Sequence, residues 1–383
     1  MKRIIFLTSF DPRIPTVRSG TPYFMLQALK RQGYKIEIIG PIKLPFERVF
    51  QGINRILDKI LKKRFDYKHS SLTSRYYSKK FSERLRKIDI YDGDSVIFAP
   101  LSSVEISDLK SNIPIIYTSD TSFEQLANYN SDYNNYFGFS YADSCKVEDR
   151  AISKSRIVTY PSEWAAAYAR NKYQTPEKLF KVINWGANFI EEPDSNHIEN
   201  VSSTANSGPI NCLFVGVNWD RKGGEIALKA IEYARSLGCD ISLTVCGCSP
   251  SLEQHSWIRV NGFLDKDIES DRHLLAASYY EADLFILPTK AESYGHVFCE
   301  AAAYGLPVIA HNTGGISSIV KDSHTGFLFD DGNDYISMGE SIVELYNDRD
   351  KLRAMAHNAM RRYQEELSWD SWGGHMRGLI EDI

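Results

Sequence analysis

The sequence predicts an α/β chain made of two doubly wound domains. Three observations carry that expectation. Short β-rich runs alternate with helix-like stretches, the runs fall into two series, and a polar, acidic segment separates the series. With 383 residues, 43% of them hydrophobic and 12% aromatic, there is material for more than one core and disorder is excluded as the global state. The first series is Ile4–Leu7, Ile36–Ile39, Ser95–Phe98, Ile115–Tyr117, Ile157–Tyr160 and Val182-Ile183, with helix-like stretches such as Pro22–Gln32 and Ser144–Ser153 between them. The second is Cys212–Val215, Ile241–Val245, Ile258–Val260, Leu284–Leu287, Val308–Ala310 and Phe327–Phe329. Near-continuous apolar strands of this kind imply parallel sheets covered on both faces. Between the series, residues 191–209 are rich in Ser, Asn, Glu and Pro with little to bury, and read as a connection. The expected domains are therefore 1–190 and 210–368, with strand carboxyl ends facing a shared cleft.

Composition narrows the function classes. Lys+Arg number 45 against 49 Asp+Glu, a formal charge of −4. No apolar run approaches the ~20 residues of a membrane span, and the stretch after Met1 is too short for a signal peptide. Six cysteines scattered through apolar runs, without a CxxC pair, read as reduced core thiols. These features lead to the expectation of a soluble cytoplasmic protein.

The net charge hides an asymmetry. Residues 43–87 hold 14 Lys/Arg and four acids, an excess of ten positive charges that leaves −14 on the remainder. Apolar residues from Phe46 to Leu61 are interleaved at steps of three and four, which fits one helix face. Three readings stay open: a solvated basic helix on its own domain, docking on an anionic membrane at its inner face, or contact with a phosphate-bearing acceptor. No nucleic-acid motif accompanies the charge, so nucleic acid is not an expected partner.

Neither GxGxxG after the first strand nor GxxxxGK[ST] occurs, which weakens a dehydrogenase and a P-loop NTPase. Instead, strand-to-helix junctions carry Gly and charge. In Val215–Gly224 a strand ends, Arg221 and Lys222 appear, and Gly223-Gly224 let backbone approach a ligand before a helix start. Exposed N–H groups, the helix dipole and two cations make an anion site suited to a diphosphate. In Pro288–Pro307 a loop bearing Glu292 leads into a helix near His296 that contains Glu300 and is stopped by Gly305. Two carboxylates near one helix start suit the several hydroxyls of a polyol. His311–Ile316 repeats the plan of strand end, Gly pair and helix start. Asp330-Asp331, in a Gly/Asn turn, reads as turn chemistry rather than as a metal site.

Lys222-Gly223-Gly224, the Glu292…Glu300 spacing, Gly305–Ile309, Gly314-Gly315 and His324–Leu328 together resemble the retaining GT-B glycosyltransferases of family 4, and Ser19–Thr21, Glu148–Trp164 and Val182–Asn188 extend that resemblance over nearly the whole chain. It implies a GT-B fold, an acceptor-binding N-terminal domain, a donor-binding C-terminal domain, and a final helix (369–383) that packs back on the first domain. It also implies roles. Glu300 would bind the ribose hydroxyls of a nucleotide-sugar, and Glu292 the hydroxyls of the donor sugar, with main-chain help from Gly295, His296 and Val297. Lys222 would neutralise the leaving diphosphate, approached by Gly20, and Asn261, Gly262, Phe263 and Leu264 would lie near the base. Neither metal nor cofactor is implied beyond the donor, a UDP-sugar favoured over GDP- or ADP-sugars. The acceptor would be a hydroxyl of a glycan or lipid-linked saccharide in polysaccharide or glycoconjugate biosynthesis.

Three departures stand out. Val217 occupies the place of the family's usual Arg, with Arg221 as a substitute. Ser317-Ser318 replaces a common Pro-Glu. Thr118–Thr121 lacks the frequent His, and Asp120 is the candidate for its place, with an N-cap role as the alternative. Two further function classes share this architecture: a sugar-nucleotide epimerase and an inactive nucleotide-binding partner subunit.

Overall fold

A computed structural model describes residues 2–88, 95–130, 133–173, 179–189, 193 and 208–383. They divide into two compact units, Met1–Ile183 with Trp372–Ile383, and Asn184–Ser371. Apart from Pro193, Gly208 and Pro209, the expected 191–209 connection lies outside the described residues.

In the first unit the order is β1 (Arg3–Phe6), α1 (Thr21–Arg31), β2 (Lys35–Ile38), α2 (Glu47–Leu61), α3 (Ser71–Leu85), β3 (Ser95–Pro100) and the short α4 (Ser103–Ile106). There follow β4 (Ile115–Thr118), α5 (Phe123–Tyr129), α6 (Gly138–Lys154), β5 (Ile157–Tyr160), α7 (Glu163–Tyr173) and β6 (Leu179–Val182). The sheet is parallel, in the order β2-β1-β3-β4-β5-β6. β3, β4 and β5 are buried along their whole length, as strands covered on both faces must be. The last strand pairs over Leu179–Val182, earlier than its apolar Val182-Ile183 end predicts, because Lys181 is carried on the sheet edge beside Thr159.

The second unit contains β7 (Ile210–Val215), α8 (Gly224–Ser236), β8 (Ile241–Cys246), β9 (Ile258–Gly262), α9 (Glu269–Tyr280) and β10 (Leu284–Leu287). After these come α10 (His296–Ala303), β11 (Val308–His311), β12 (Gly326–Phe329), α11 (Tyr335–Asn347), α12 (Arg349–Glu366) and α13 (Trp369–Glu381). Its sheet, also parallel, runs β9-β8-β7-β10-β11-β12. Asp334 and Asp348 cap α11 and α12 by accepting the N–H of Ser337 and Lys351.

The end of α13 completes the first unit's core. Trp372 is fully buried with its ring 5.9 Å from that of Phe98, edge to face. Met376 and Ile380 are also fully buried, and the Tyr34 hydroxyl donates to Glu381 at 2.8 Å.

Strand order fixes where ligands can bind. In open α/β sheets the crevice forms where the connections change sides, beyond the carboxyl ends of the strands. That point lies between β1 and β3 in the first unit and between β7 and β10 in the second.

Candidate active site

The two loops flanking the β7/β10 crevice carry the charged residues singled out by the sequence. They are tied together by backbone, Lys290 N–H donating to the Arg221 carbonyl at 2.9 Å. Gly223 sits at φ +74°, and a Cβ there would lie 2.0 Å from the Pro288 carbonyl oxygen, so no side chain fits between the loops. The Lys222 stem lies against Gly216, the residue is only 7% exposed, and its ammonium pairs with the Glu292 carboxylate. A buried cation with a carboxylate partner is charge-balanced until an anion competes for it. Arg221 donates through Nη1 to the Ala291 carbonyl at 3.1 Å. Val217, where the resemblance would have an arginine, is exposed.

Glu292 lies before α10, Gly295 is the residue preceding its first turn, and the N–H groups of His296 and Val297 belong to the turn whose donors have no intrahelical acceptor. The His296 ring stacks on Trp185, centroids 5.6 Å apart and planes 13° apart. Its Nδ1 lies 2.9 Å from the Gly186 carbonyl, which only accepts, so Nδ1 carries the proton. Burial pushes the imidazole pKa down, which keeps it neutral. The ring therefore ties the start of α10 to the segment around Trp185 and Gly186.

Glu300, one turn into α10, is 2% exposed and accepts from Lys266 Nζ at 2.9 Å and from the Tyr279 hydroxyl at 3.0 Å. Lys266 follows β9 and was not singled out by the sequence. Its side chain is 42% exposed while that of Glu300 is buried, so the ion pair sits at the rim of the site. Gly262 ends β9, and Phe263 after it is 66% exposed, an open aromatic face for a planar base.

In the first unit, Gly20 opens α1 at φ +84° after Arg18 and Ser19, both also left-handed. A Cβ on Gly20 would lie 2.6 Å from the Pro15 carbonyl oxygen, so this turn after β1 needs glycine. Asp120 follows β4, one strand away from the crevice. Its carboxylate accepts Thr121 N–H at 3.0 Å and the Ser119 hydroxyl at 3.3 Å. The cap of α5 is Ser122, whose hydroxyl accepts Gln125 N–H at 3.4 Å. The N-cap alternative for Asp120 is thereby corrected: Ser122 stands directly before the helix and takes that role. Burial raises the Asp120 pKa.

Two further carboxyls near the strand ends escaped the sequence reading. Glu105, in the short helix after β3, is buried and pushed up in pKa by that burial, against an opposing hydrogen bond from Ser9 in the loop after β1. Glu148 on α6 accepts from the Tyr117 hydroxyl at 2.9 Å and is likewise raised by burial. Glu105 stood in no motif, and Glu148 opened the Glu148–Trp164 segment without a role of its own, since each looks like an ordinary helix acid until the helix is packed. His69 and Asp66 form a pair at 2.8 Å. Burial opposes the charge on both, yet their mutual attraction lowers the Asp66 pKa and raises that of His69.

Asp331 makes a turn bond, its Oδ1 accepting Asn333 N–H at 2.8 Å, whereas Asp330 Oδ1 accepts from Asn312 Nδ2 at 2.9 Å, a tie to the loop after β11.

Residues 198–362 match the family of glycosyl transferases group 1. The D-inositol 3-phosphate glycosyltransferase of Corynebacterium kroppenstedtii is 32% identical over 263 residues, covering 63% of this chain and 57% of that protein. The capsular polysaccharide biosynthesis glycosyltransferase CapM of Staphylococcus aureus is 28% identical over 161 residues, 40% of this chain and 41% of CapM. The match thus spans about half the length of these curated relatives. Among solved structures, sucrose-phosphate synthase from Thermosynechococcus elongatus superposes with a TM-score of 0.66 at 17% identity, covering 100% of this chain and 99% of that one. HepE of Anabaena in complex with UDP-glucose gives 0.61 at 15% identity, with full coverage of both chains. At such identities the structural likeness speaks for the fold. Residues 198–362 thus match the glycosyl transferases group 1 family, and the two parallel six-stranded sheets have the two-domain GT-B fold of the solved structures they superpose on.

Proposed function

We propose that the protein transfers a sugar, with retention of anomeric configuration and without a metal, from a nucleoside diphosphate sugar to a hydroxyl of a glycan or lipid-linked saccharide. UDP is the favoured nucleotide, with GDP and ADP as the alternatives. The observation that carries this reading is the Lys222–Glu292 pair across the β7/β10 crevice, with Glu300 farther along the same helix. A donor offers one partner to each: diphosphate to Lys222, sugar hydroxyls to Glu292, ribose hydroxyls to Glu300. In the reaction the bond between the anomeric carbon and the β-phosphate oxygen breaks and its electron pair stays on the phosphate. Lys222, Arg221 and the first-turn N–H groups of α10 stabilise that charge. The acceptor oxygen bonds to the anomeric carbon on the same face, and its proton passes to the departing phosphate.

Glu105, Asp120 and Glu148 in the first unit, whose carboxyls burial shifts toward the neutral form, suit hydrogen bonding to the hydroxyls of a saccharide acceptor. CapM, a capsular polysaccharide biosynthesis glycosyltransferase, is in keeping with a glycan acceptor. We place the enzyme in the cytoplasm, working peripherally at the inner face of a membrane.

The test is product analysis with UDP-, GDP- and ADP-sugars. Transfer or slow donor hydrolysis supports the reading, an epimerised sugar nucleotide points to the epimerase, and binding without turnover points to an inactive subunit. NMR of the product should show the donor's configuration, and EDTA should change donor affinity in calorimetry by less than tenfold. An inverted product overturns the mechanism.

A further inference from the structure

The basic region of the sequence becomes two helices with different fates. α3 is capped by Ser70 and buries Phe81 and Leu85 in the first unit's core. α2 has no fully buried residue. Among the described residues it is held along one edge: Phe50 stacks on Tyr67 at 5.2 Å, and Asn54 donates to the Phe65 carbonyl at 2.8 Å and accepts its N–H at 2.9 Å. Glu47 adds an ion pair with Lys68 at 3.1 Å.

The rest of its apolar face points to solvent. Phe46, Val49, Ile53, Ile56 and Ile60 are 59, 61, 40, 60 and 70% exposed. At ~100° per residue these five fall within an arc of about 80°. Phe139, whose ring lies 5.3 Å from that of Phe65, is itself 65% exposed. Five large aliphatic and aromatic side chains in line, each 40% exposed or more among the described residues, are more than the scattered exposed hydrophobics of an ordinary surface.

Charge decides what covers this stripe. Residues 43–68 carry eight Lys/Arg and three acids. Glu47 is held by Lys68 and Asp66 by His69, so Asp58 is the acid left among Arg48, Arg55, Lys59, Lys62 and Lys63. Pairing with a second copy would bring these cations against their own images. An anionic lipid surface presents the opposite charge and, beneath it, hydrocarbon for the stripe. Arg64 is not part of this set. Its guanidinium lies 5.0 Å from the Tyr136 ring and its N–H donates to the Asn135 carbonyl at 2.8 Å, so it belongs to the fold.

We propose that α2 lies in the interface of an anionic membrane, with Phe46, Val49, Ile53, Ile56 and Ile60 below the headgroups and Lys59, Lys62 and Lys63 among them. This deepens the peripheral placement suggested above, and narrows it from residues 43–87 to one helix that inserts rather than adheres. It is independent of whether the crevice of the second unit transfers sugar. No helix among the described residues is long and apolar enough to cross a membrane, so the attachment is interfacial.

Co-sedimentation of the full chain tests it, with vesicles of phosphatidylglycerol and phosphatidylcholine against phosphatidylcholine alone. The full chain should pellet with the anionic vesicles only. Ile53→Ser/Ile56→Ser/Ile60→Ser should lower the partition at least tenfold, and the loss should persist at low salt. Lys59→Ser/Lys62→Ser/Lys63→Ser should lower it on the order of 100-fold, since each cation near such a surface contributes about fivefold, and salt should mimic that loss. Both variants alter exposed positions and should keep wild-type circular dichroism and donor hydrolysis in solution. Equal pelleting of the isoleucine variant overturns insertion, and so does a wild type that ignores anionic vesicles. A wild-type dimer that the isoleucine variant turns into a monomer assigns the stripe to a second copy instead. Loss of donor hydrolysis in the unaltered protein would strike the transferase reading and leave this one standing.

Discussion

The crevice between β7 and β10 and the one between β1 and β3 occupy the same place in their respective sheets, and each is entered through a glycine turn before a helix. Their chemistry differs. The second unit's crevice holds a lysine and a glutamate that satisfy each other, with a second glutamate held by Lys266 and Tyr279. The surroundings of the first unit's crevice hold carboxyls that burial pushes toward the neutral form. A scaffold can thus offer one kind of opening twice while the residues on its loops decide whether it suits an anion or a polyol.

The largest expected effect comes from removing the cation. Lys222→Ala should lower kcat by roughly 10²–10³-fold, about 3–4 kcal/mol, because the charge it meets grows as the anomeric bond breaks. The lysine is buried and paired, so the change should also lower Tm, at a cost of about 1–3 kcal/mol for leaving Glu292 without its partner. A sequence view of Lys222 as a loop residue would expect hardly any change in Tm. Adding Glu292→Gln to Lys222→Ala should restore Tm but not turnover. If the single variant keeps near-normal kcat, the crevice is not a diphosphate site.

Next is Glu300→Gln, which should weaken UDP binding about tenfold in calorimetry, the loss of a charge-assisted hydrogen bond to ribose. An unchanged Kd would remove the ribose assignment. Asp120→Asn should raise the acceptor KM severalfold and leave donor Kd as it was. A shift in donor affinity alone would move Asp120 out of the acceptor side of the comparison.

The smallest effect concerns stability. The folded-state pKa of Glu105 is raised, so the stability it contributes is fully present below the ordinary carboxylate pKa and is lost as pH rises through the raised value. Glu105→Gln removes that dependence. Its Tm relative to wild type should be lowest near pH 4 and rise toward pH 8. A difference that stays flat with pH would mean that the carboxyl is solvated and that the contrast between the two crevices is weaker than drawn.

The second unit was the more legible of the two from sequence. Lys222, Glu292 and Glu300 sit in local patterns of strand, loop and helix, where a few neighbouring residues define the position. The strand series and most helix starts could be read for the same reason. What escaped depends on residues far apart in the chain. The surroundings of the His296 ring could not be read, because Trp185 and Gly186, which pack against it, lie over a hundred positions earlier. Lys266 has meaning only beside Glu300. The α2 periodicity was visible as one wide apolar face, but which part the domain covers is decided by Tyr67 and Phe65, beyond the helix end.

The return of the chain at Trp372 has a consequence for synthesis on the ribosome. The first unit is begun first and finished last, because 188 residues of the second unit, Asn184–Ser371, are made before its final helix segment. Until then the pocket for Trp372 beside Phe98 is an open apolar cavity, of a kind whose filling is worth about 3–5 kcal/mol. A nascent chain stopped at Ser371 would carry a complete second unit beside a first unit that lacks part of its core. It should then be the first unit, the earlier to emerge, that chaperones hold and proteases cut.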